Sequence, residues 1–303
     1  MVLGNPHVDL SKYLEETTRF LLKSTALNIF IYIHRPNSQT KNRWIVVINL
    51  YFPNKTVKAS GTDKNIVLAY IKGLSEIGEE ILCNKHNLEC RSGIAGGLQS
   101  KNALIRAQAE LIERDSFFEH YRNMIPFLSK QKVSFCDSSN IYAFEMLAKE
   151  KNFKSYIVTD EDSIQGTSEC LLFGTSSHPD KDVAIEKAYN EYVAISLNHK
   201  KFPDRCKHLE KNKETIEKLT DLHHIYSRDE RNKQIFQKLC QVSKKKSSYS
   251  HKNLSWEIES LESPLKLFKY YRVISKNLIK IQFGKPEHFS FTLNQLPLYH
   301  PFW

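Results

Sequence analysis

The chain has 303 residues, 41% of them hydrophobic and 26% charged, with a formal net charge of +10. This composition excludes intrinsic disorder, and the length suffices for one large domain or two ordinary ones. No apolar run approaches membrane-spanning length, and Met1–His7 carries no basic segment followed by an apolar stretch, so a cytoplasmic protein that avoids the membrane is expected. In chain order, residues 27–34 and 44–52 read as strands, with Pro36-Asn37-Ser38 as the turn of a hairpin. Helical stretches follow at 64–82, 100–124 and 181–198, with strand-like runs at 154–159 and 169–174 between the second and third. Residues 200–255 are basic, polar and helix-leaning, and strand signals return at 270–275 and 278–283. The tail Pro297-Leu298-Tyr299-His300-Pro301-Phe302-Trp303 cannot be regular helix. The mixture predicts an α+β fold with a largely antiparallel sheet.

The six cysteines (Cys83, Cys90, Cys136, Cys170, Cys206 and Cys240) form no CxxC pair and read as reduced thiols. Cys83-x-x-His86-x-x-x-Cys90 offers three zinc-ligand types without a fourth, so two half-buried cysteines around a helix exit are the simpler reading. The positive charge, much of it between Lys200 and Lys252, suits an acidic peptide, a polyphosphate or nucleic acid. No groove-reading motif accompanies it, so a specific nucleic-acid partner is not expected.

The most informative feature is a pattern that occurs three times. Ala69-x-x-Lys72-Gly73-x-x-Glu76, Ala103-x-x-Arg106-Ala107-x-x-Glu110 and Ala184-x-x-Lys187-Ala188-x-x-Glu191 each place a small residue, a base, a second small residue and a glutamate along one helix face. The small residues are expected to let helices approach closely. The first two copies add Glu79 and Glu113 one turn on, where the third has Ala194. Paired carboxylates on one face repel, and half-buried ones need cations. Convergence of the three helices would gather five carboxylates, a concentration suited to magnesium and substrate phosphates. Taken singly, each copy is equally a solvated helix face, because glutamate is a strong helix former.

Around the second copy, Ser92-Gly93-Ile94-Ala95-Gly96-Gly97, then Ser100, then Ala109-Glu110-Leu111-Ile112-Glu113-Arg114-Asp115 resembles the central signature of the YcaO family. Residues from Ser60-Gly61 to Glu79 resemble its upstream motif. Phe173-Gly174 through Ala188 and Glu191 resemble the downstream one. Arg272-Val273-Ile274-Ser275 through Phe283-Gly284 and the ending His300-Pro301-Phe302 resemble later blocks, in family order. The resemblance implies a YcaO-like fold in which residues 1–58 form an N-terminal strand-containing segment and 59–303 the catalytic core. It implies ATP and Mg2+ as cofactors, with Glu76, Glu79, Glu110, Glu113 and Glu191 holding metal and phosphates and Ser100 and Arg114 in the nucleotide site. The implied reaction phosphorylates the oxygen of a peptide backbone amide and forms azoline rings at Cys, Ser or Thr of a ribosomal precursor peptide. A thioamide-forming relative, or a degenerate nucleotide-binding scaffold, is the alternative.

Departures from the family pattern are Glu80, Asn102, Ala194, Lys276-Asn277 and the terminal Trp303. They bear on nucleotide geometry and on the tail. No GxSxG or P-loop supplies a nucleophile or phosphate cradle. His178, just before the third helix, and the carboxylate of Trp303 are the candidate bases, each with a purely structural alternative. Lys187 and Arg106 stand beside the glutamates as ion-pair or phosphate partners. The chain leaves no further domain for leader recognition, so a separate partner related to ubiquitin-activating enzymes is expected, and a homodimer is allowed.

Overall fold

A computed structural model describes residues 10–23, 26–37, 41–86, 93–135, 140–201, 227–228, 230–242 and 253–278. The described chain divides into two compact units. The first comprises Met1–Ala107 with Ile258–Val273, and the second Gln108–Glu257 with Ile274–Trp303.

In the first unit, α1 (Leu10–Lys23) precedes a meander of β1 (Asn28–His34), β2 (Trp44–Phe52) and β3 (Lys55–Asp63), followed by α2 (Ile66–Lys85). β2 reads as a strand from its alternating apolar residues, and its limits are those expected. Lys55-Thr-Val-Lys-Ala-Ser-Gly-Thr-Asp63 gives little such signal, yet it pairs with β2 along all nine residues, Trp44 opposite Asp63 through Phe52 opposite Lys55. Pairing and burial under α2, rather than local propensity, make β3 a strand. Ala69, Tyr70, Leu74, Ile77 and Leu82 of α2 close this core over Val46, Ile48 and Leu50. β4 (Ile94–Gly97), expected as a turn, is instead a strand in a second sheet ordered β4–β10–β9, with β9 (Glu257–Leu261) and β10 (Lys269–Ile274). α3 (Ser100–Asn123) starts in this unit and continues into the second after Ala107.

The second unit holds the sheet β5–β6–β7–β8, with β5 (Ser129–Lys132), β6 (Ile141–Met146), β7 (Lys154–Asp160) and β8 (Phe173–His178), all antiparallel. α4 (Glu161–Gln165), α5 (Lys181–Lys201) and α6 (Glu230–Leu239) complete it. The strand expected at 169–174 lies at 173–178 instead: Glu169–Leu172 is loop. The strand is the hydroxyl-rich Phe173-Gly-Thr-Ser-Ser-His178, held by its register with β7. Phe117, Phe127, Phe144, Phe173 and Phe236 stack in its core. His120, fully buried, staples that core: Nδ1 donates to the carbonyl of Ile125 at 2.7 Å and Nε2 accepts from the Leu147 N–H at 2.8 Å. Burial lowers the pKa of His120, consistent with the neutral ring that this pairing requires.

The three sequence copies share one local plan. In each, two residues separate a strand from its helix: Asp63 from Ile66, Gly97 from Ser100, His178 from Lys181. The first alanine of each copy then donates its N–H to the capping carbonyl, Ala69 to Asn65, Ala103 to Gln99 and Ala184 to Asp180. The pattern therefore starts at the same height on each helix. The small residues are buried in all three copies. What they admit is the preceding strand, not a second helix. A Cβ on Gly61 would lie 1.9 Å from the Ala69 carbonyl oxygen, and one on Gly174 would lie 2.2 Å from that of Ala188. The region around residues 278–283 and the whole C-terminal tail, including Trp303, lie outside the described residues apart from Leu278.

Candidate functional site

None of the five glutamates is fully exposed; all are half-buried. In the first unit, Glu76 on α2 accepts the backbone N–H of Ser60 on β3 at 3.2 Å. One turn on, Glu79 accepts the N–H of Gly96 at 2.8 Å and the hydroxyl of Ser75 at 3.0 Å, and Arg106 approaches it at 3.4 Å. Arg106 also donates to Ser75 Oγ and to the Gly96 carbonyl. The base of the second copy thus locks a carboxylate of the first. Lys72, the base of the first copy, pairs instead with Asp63 at 2.6 Å and donates to the Thr62 carbonyl at 3.1 Å. Beside Glu79, Tyr270 is buried and its phenol is held well above its ordinary pKa, first by burial and then by that carboxylate. Ser100 is the exposed first residue of α3.

In the second unit, two helices converge on one threonine. Glu191 on α5 accepts the N–H of Thr175 at 2.6 Å, and Glu113 on α3 accepts its hydroxyl at 2.7 Å. Glu110 pairs with Arg114 at 2.7 Å, the arginine side chain being only 11% exposed. Burial pushes the Glu113 carboxyl up to about 7, outweighing the Thr175 hydroxyl and the positive charges of Arg114 and Lys187, while Glu110 pushes in the same direction as burial. His178 ends β8; its Nδ1 accepts the Asp180 N–H at 3.0 Å. Burial and the charge of Lys187 lower its pKa, favouring a neutral imidazole. Lys187 thus acts on both His178 and Glu113.

Thr175 is the residue that sequence reasoning missed. Its signal was present: in the strand before the first-copy helix, Ser60 donates its N–H to Glu76 just as Thr175 donates to Glu191. Aligning the strands as well as the helices would have found it. Of the zinc-like trio, Cys83 is buried in α2, His86 caps that helix, and Cys90 lies outside the described residues. Among the described residues, no three Asp, Glu, His or Cys side chains stand close enough to hold a metal ion by themselves. The carboxylates still fit magnesium, which takes one or two protein carboxylates and completes its octahedron with substrate phosphates and water.

No family model and no curated protein matches the sequence. Solved structures do match the fold. The structure of YcaO from Methanopyrus kandleri bound with AMPPCP and Mg2+ aligns over 88% of this chain and 90% of its own, at 13% identity and a TM-score of 0.55. The fold is YcaO-like. A heterocyclase in complex with substrate and cofactor matches over 91% of this chain at 11% identity and a TM-score of 0.61, this chain spanning about half (53%) of that one. The E. coli microcin synthetase McbBCD complex matches over 82% of this chain and 88% of its own, at 9% identity and a TM-score of 0.55. The α+β, antiparallel YcaO-like architecture expected from the motifs is therefore met. No helix among the described residues is long and apolar enough to cross a membrane.

Proposed function

We propose that this chain is a YcaO-type, ATP-dependent enzyme that activates backbone amides of a precursor peptide and forms thiazoline or oxazoline rings at Cys, Ser or Thr. The observation that carries this reading is the pair Glu113 and Glu191 on Thr175, in a fold whose solved examples include a YcaO bound with AMPPCP and Mg2+. A carboxyl held near neutrality by burial is a poor structural ion pair and a good waiting ligand, since a divalent cation would offset its desolvation. The heterocyclase and microcin synthetase neighbours favour ring formation over other amide chemistry.

Glu76, Glu79, Glu110, Glu113 and Glu191 are assigned to magnesium and nucleotide phosphates, with Arg114 and Ser100 contacting the nucleotide. Bound magnesium supplies charge neutralisation on the phosphates. The side chain of the peptide's Cys, Ser or Thr attacks the preceding carbonyl carbon, and the adduct oxygen takes the γ-phosphoryl group and departs as phosphate. The reaction therefore yields ADP, phosphate and a ring that has lost the elements of water. Most of the protein's task is positioning, because phosphoryl transfer asks for alignment and charge stabilisation more than covalent help. His178, neutral and near Lys187, is a candidate to take the nucleophile's proton, and the Trp303 carboxylate is the other. A leader-binding partner related to ubiquitin-activating enzymes would supply the remote binding energy.

The test is mass spectrometry of a Cys/Ser/Thr-rich precursor incubated with the chain, its partner, ATP and magnesium, with phosphate release followed in parallel. Loss of one water per ring is expected, and Glu110→Gln or Glu191→Gln is expected to slow phosphate release at least about 100-fold. Exchange of oxygen for sulfur would move the assignment to thioamide formation. Unchanged phosphate release in both variants would remove the site assignment.

A further inference from the structure

Each sheet in this molecule has two outer strands, and five of the six are guarded. β5 carries Lys130 and Lys132, and β9 carries Glu257 and Glu259. On β3, β4 and β8, backbone N–H groups are taken by Glu76, Glu79 and Glu191. β1 differs. It has seven residues, Asn-Ile-Phe-Ile-Tyr-Ile-His, with no Lys, Arg, Asp, Glu, Gly or Pro. Among the described residues its outer edge pairs with no strand. A long, uncharged, apolar edge is what soluble proteins normally avoid unless something covers it. Phe30 is 45% exposed, Tyr32 49%, Ile33 49% and the preceding Leu27 72%, with Tyr51 of β2 packed edge-on against Phe30.

The second unit shows what covers such an edge. Its meander β6–β7–β8 and α5 repeat β1–β2–β3 and α2, and there β5 adds antiparallel to the outer side of β6, the position equivalent to the open side of β1. The sequence of β1 also complements itself. It reads nearly the same in both directions about Ile31. Two antiparallel copies centred on Ile31 set Ile29 opposite Ile33, Phe30 opposite Tyr32 and Asn28 opposite His34. Isoleucines then line one face and aromatics the other. The nearest charge, Arg35, falls opposite Leu27, so the two arginines stand at opposite ends and do not meet.

We propose that the chain forms a two-fold homodimer in which β1 pairs antiparallel with β1 of a second copy, joining two three-stranded sheets into one of six. The exposed parts of Leu27, Phe30, Tyr32, Ile33 and Tyr51 amount to roughly 500 Å² per protomer at ordinary side-chain areas. Two such faces approach the ~1,000 Å² that a specific interface needs. Closed two-fold pairing also uses up both edges and stops further addition.

The experiment is sedimentation velocity on the full chain at micromolar concentration. The wild type is expected to sediment as a dimer, and Phe30→Lys and Tyr32→Lys as monomers with unchanged far-ultraviolet circular dichroism, because both side chains are solvent-facing. A second measurement reads the register: Ile31→Cys is expected to give an oxidised covalent dimer that the wild type does not form. A monomeric wild type, a dimer indifferent to both lysines, or no added cross-linking in Ile31→Cys would each overturn the proposal. So would a monomer that instead takes up an extended peptide along β1.

Discussion

The meander with α2 in the first unit and the meander with α5 in the second are one design used twice, and they handle carboxylates differently. In both, an Asx side chain caps the helix: Asn65 accepts from the N–H of Val67 and Leu68, and Asp180 from Asp182 and Val183. In both, a third-turn glutamate seizes a strand N–H, Glu76 from Ser60 and Glu191 from Thr175. They part at the next carboxylate. Glu79 meets Arg106, Ser75 and the Gly96 N–H, and is already neutralised and bonded. Glu113 meets the Thr175 hydroxyl in a setting where burial prevails. The first arrangement is built to hold itself together. The second holds a carboxyl in a state that a cation would relieve, which is how a structural motif becomes a binding one.

The sharpest way to break this comparison is to attack what both copies share. Gly61→Ala and Gly174→Ala each drive a methyl group into a helix carbonyl. Each is expected to cost about 3 kcal/mol, read as a large fall in thermal midpoint. A mild effect in one and not the other would show that the two strand–helix contacts are not equivalent.

The next test sharpens the difference. Glu79→Gln is expected to destabilise by about 1 kcal/mol, because it weakens a charge-assisted bond to Arg106. Glu113→Gln is expected to do the opposite at pH 8. Its carboxyl ionises at 4.5 when unfolded and at about 7 when folded. Folding is therefore unopposed below 4.5, and the wild type loses stability as pH rises through that window to 7 and a little beyond. Removing the group should gain about 2 kcal/mol at pH 8, after discounting for partial solvent access, and nothing at pH 4. Thermal melts of both variants across pH check the signs. Equal and opposite shifts would support the division, and two losses would end it.

The smallest expected effects are at the caps. Asn65→Ala and Asp180→Ala should each cost about 1 kcal/mol, by the same amount in either copy. Urea melts resolve that difference, and a cost confined to one would mean that the shared plan ends at the helix start.

The glutamates, their spacing and the helices that carry them were legible because a 3.6-residue period places them on one face whatever surrounds the helix. β2 was legible for the same reason, with a period of two. β3 and β8 were not: Lys58-Ala-Ser-Gly-Thr-Asp63 and Gly174-Thr-Ser-Ser-His178 lack apolar alternation, and their strand character comes from partners in β2 and β7 and from the helices packed on them. Thr175 stayed hidden with its strand. α1, β5, β6 and β9 likewise become elements through pairing and packing with distant residues.

What the sequence by itself determined is periodic and local: which residues cap, which small positions recur and where each glutamate rises from its cap. Only the tertiary structure decided which strand each glutamate grips, that Arg106 neutralises Glu79, and that Glu113 and Glu191 meet on Thr175. Those outcomes depend on which desolvated charge finds a partner across long stretches of chain, and hydrogen bonding and burial at that range leave no period to read.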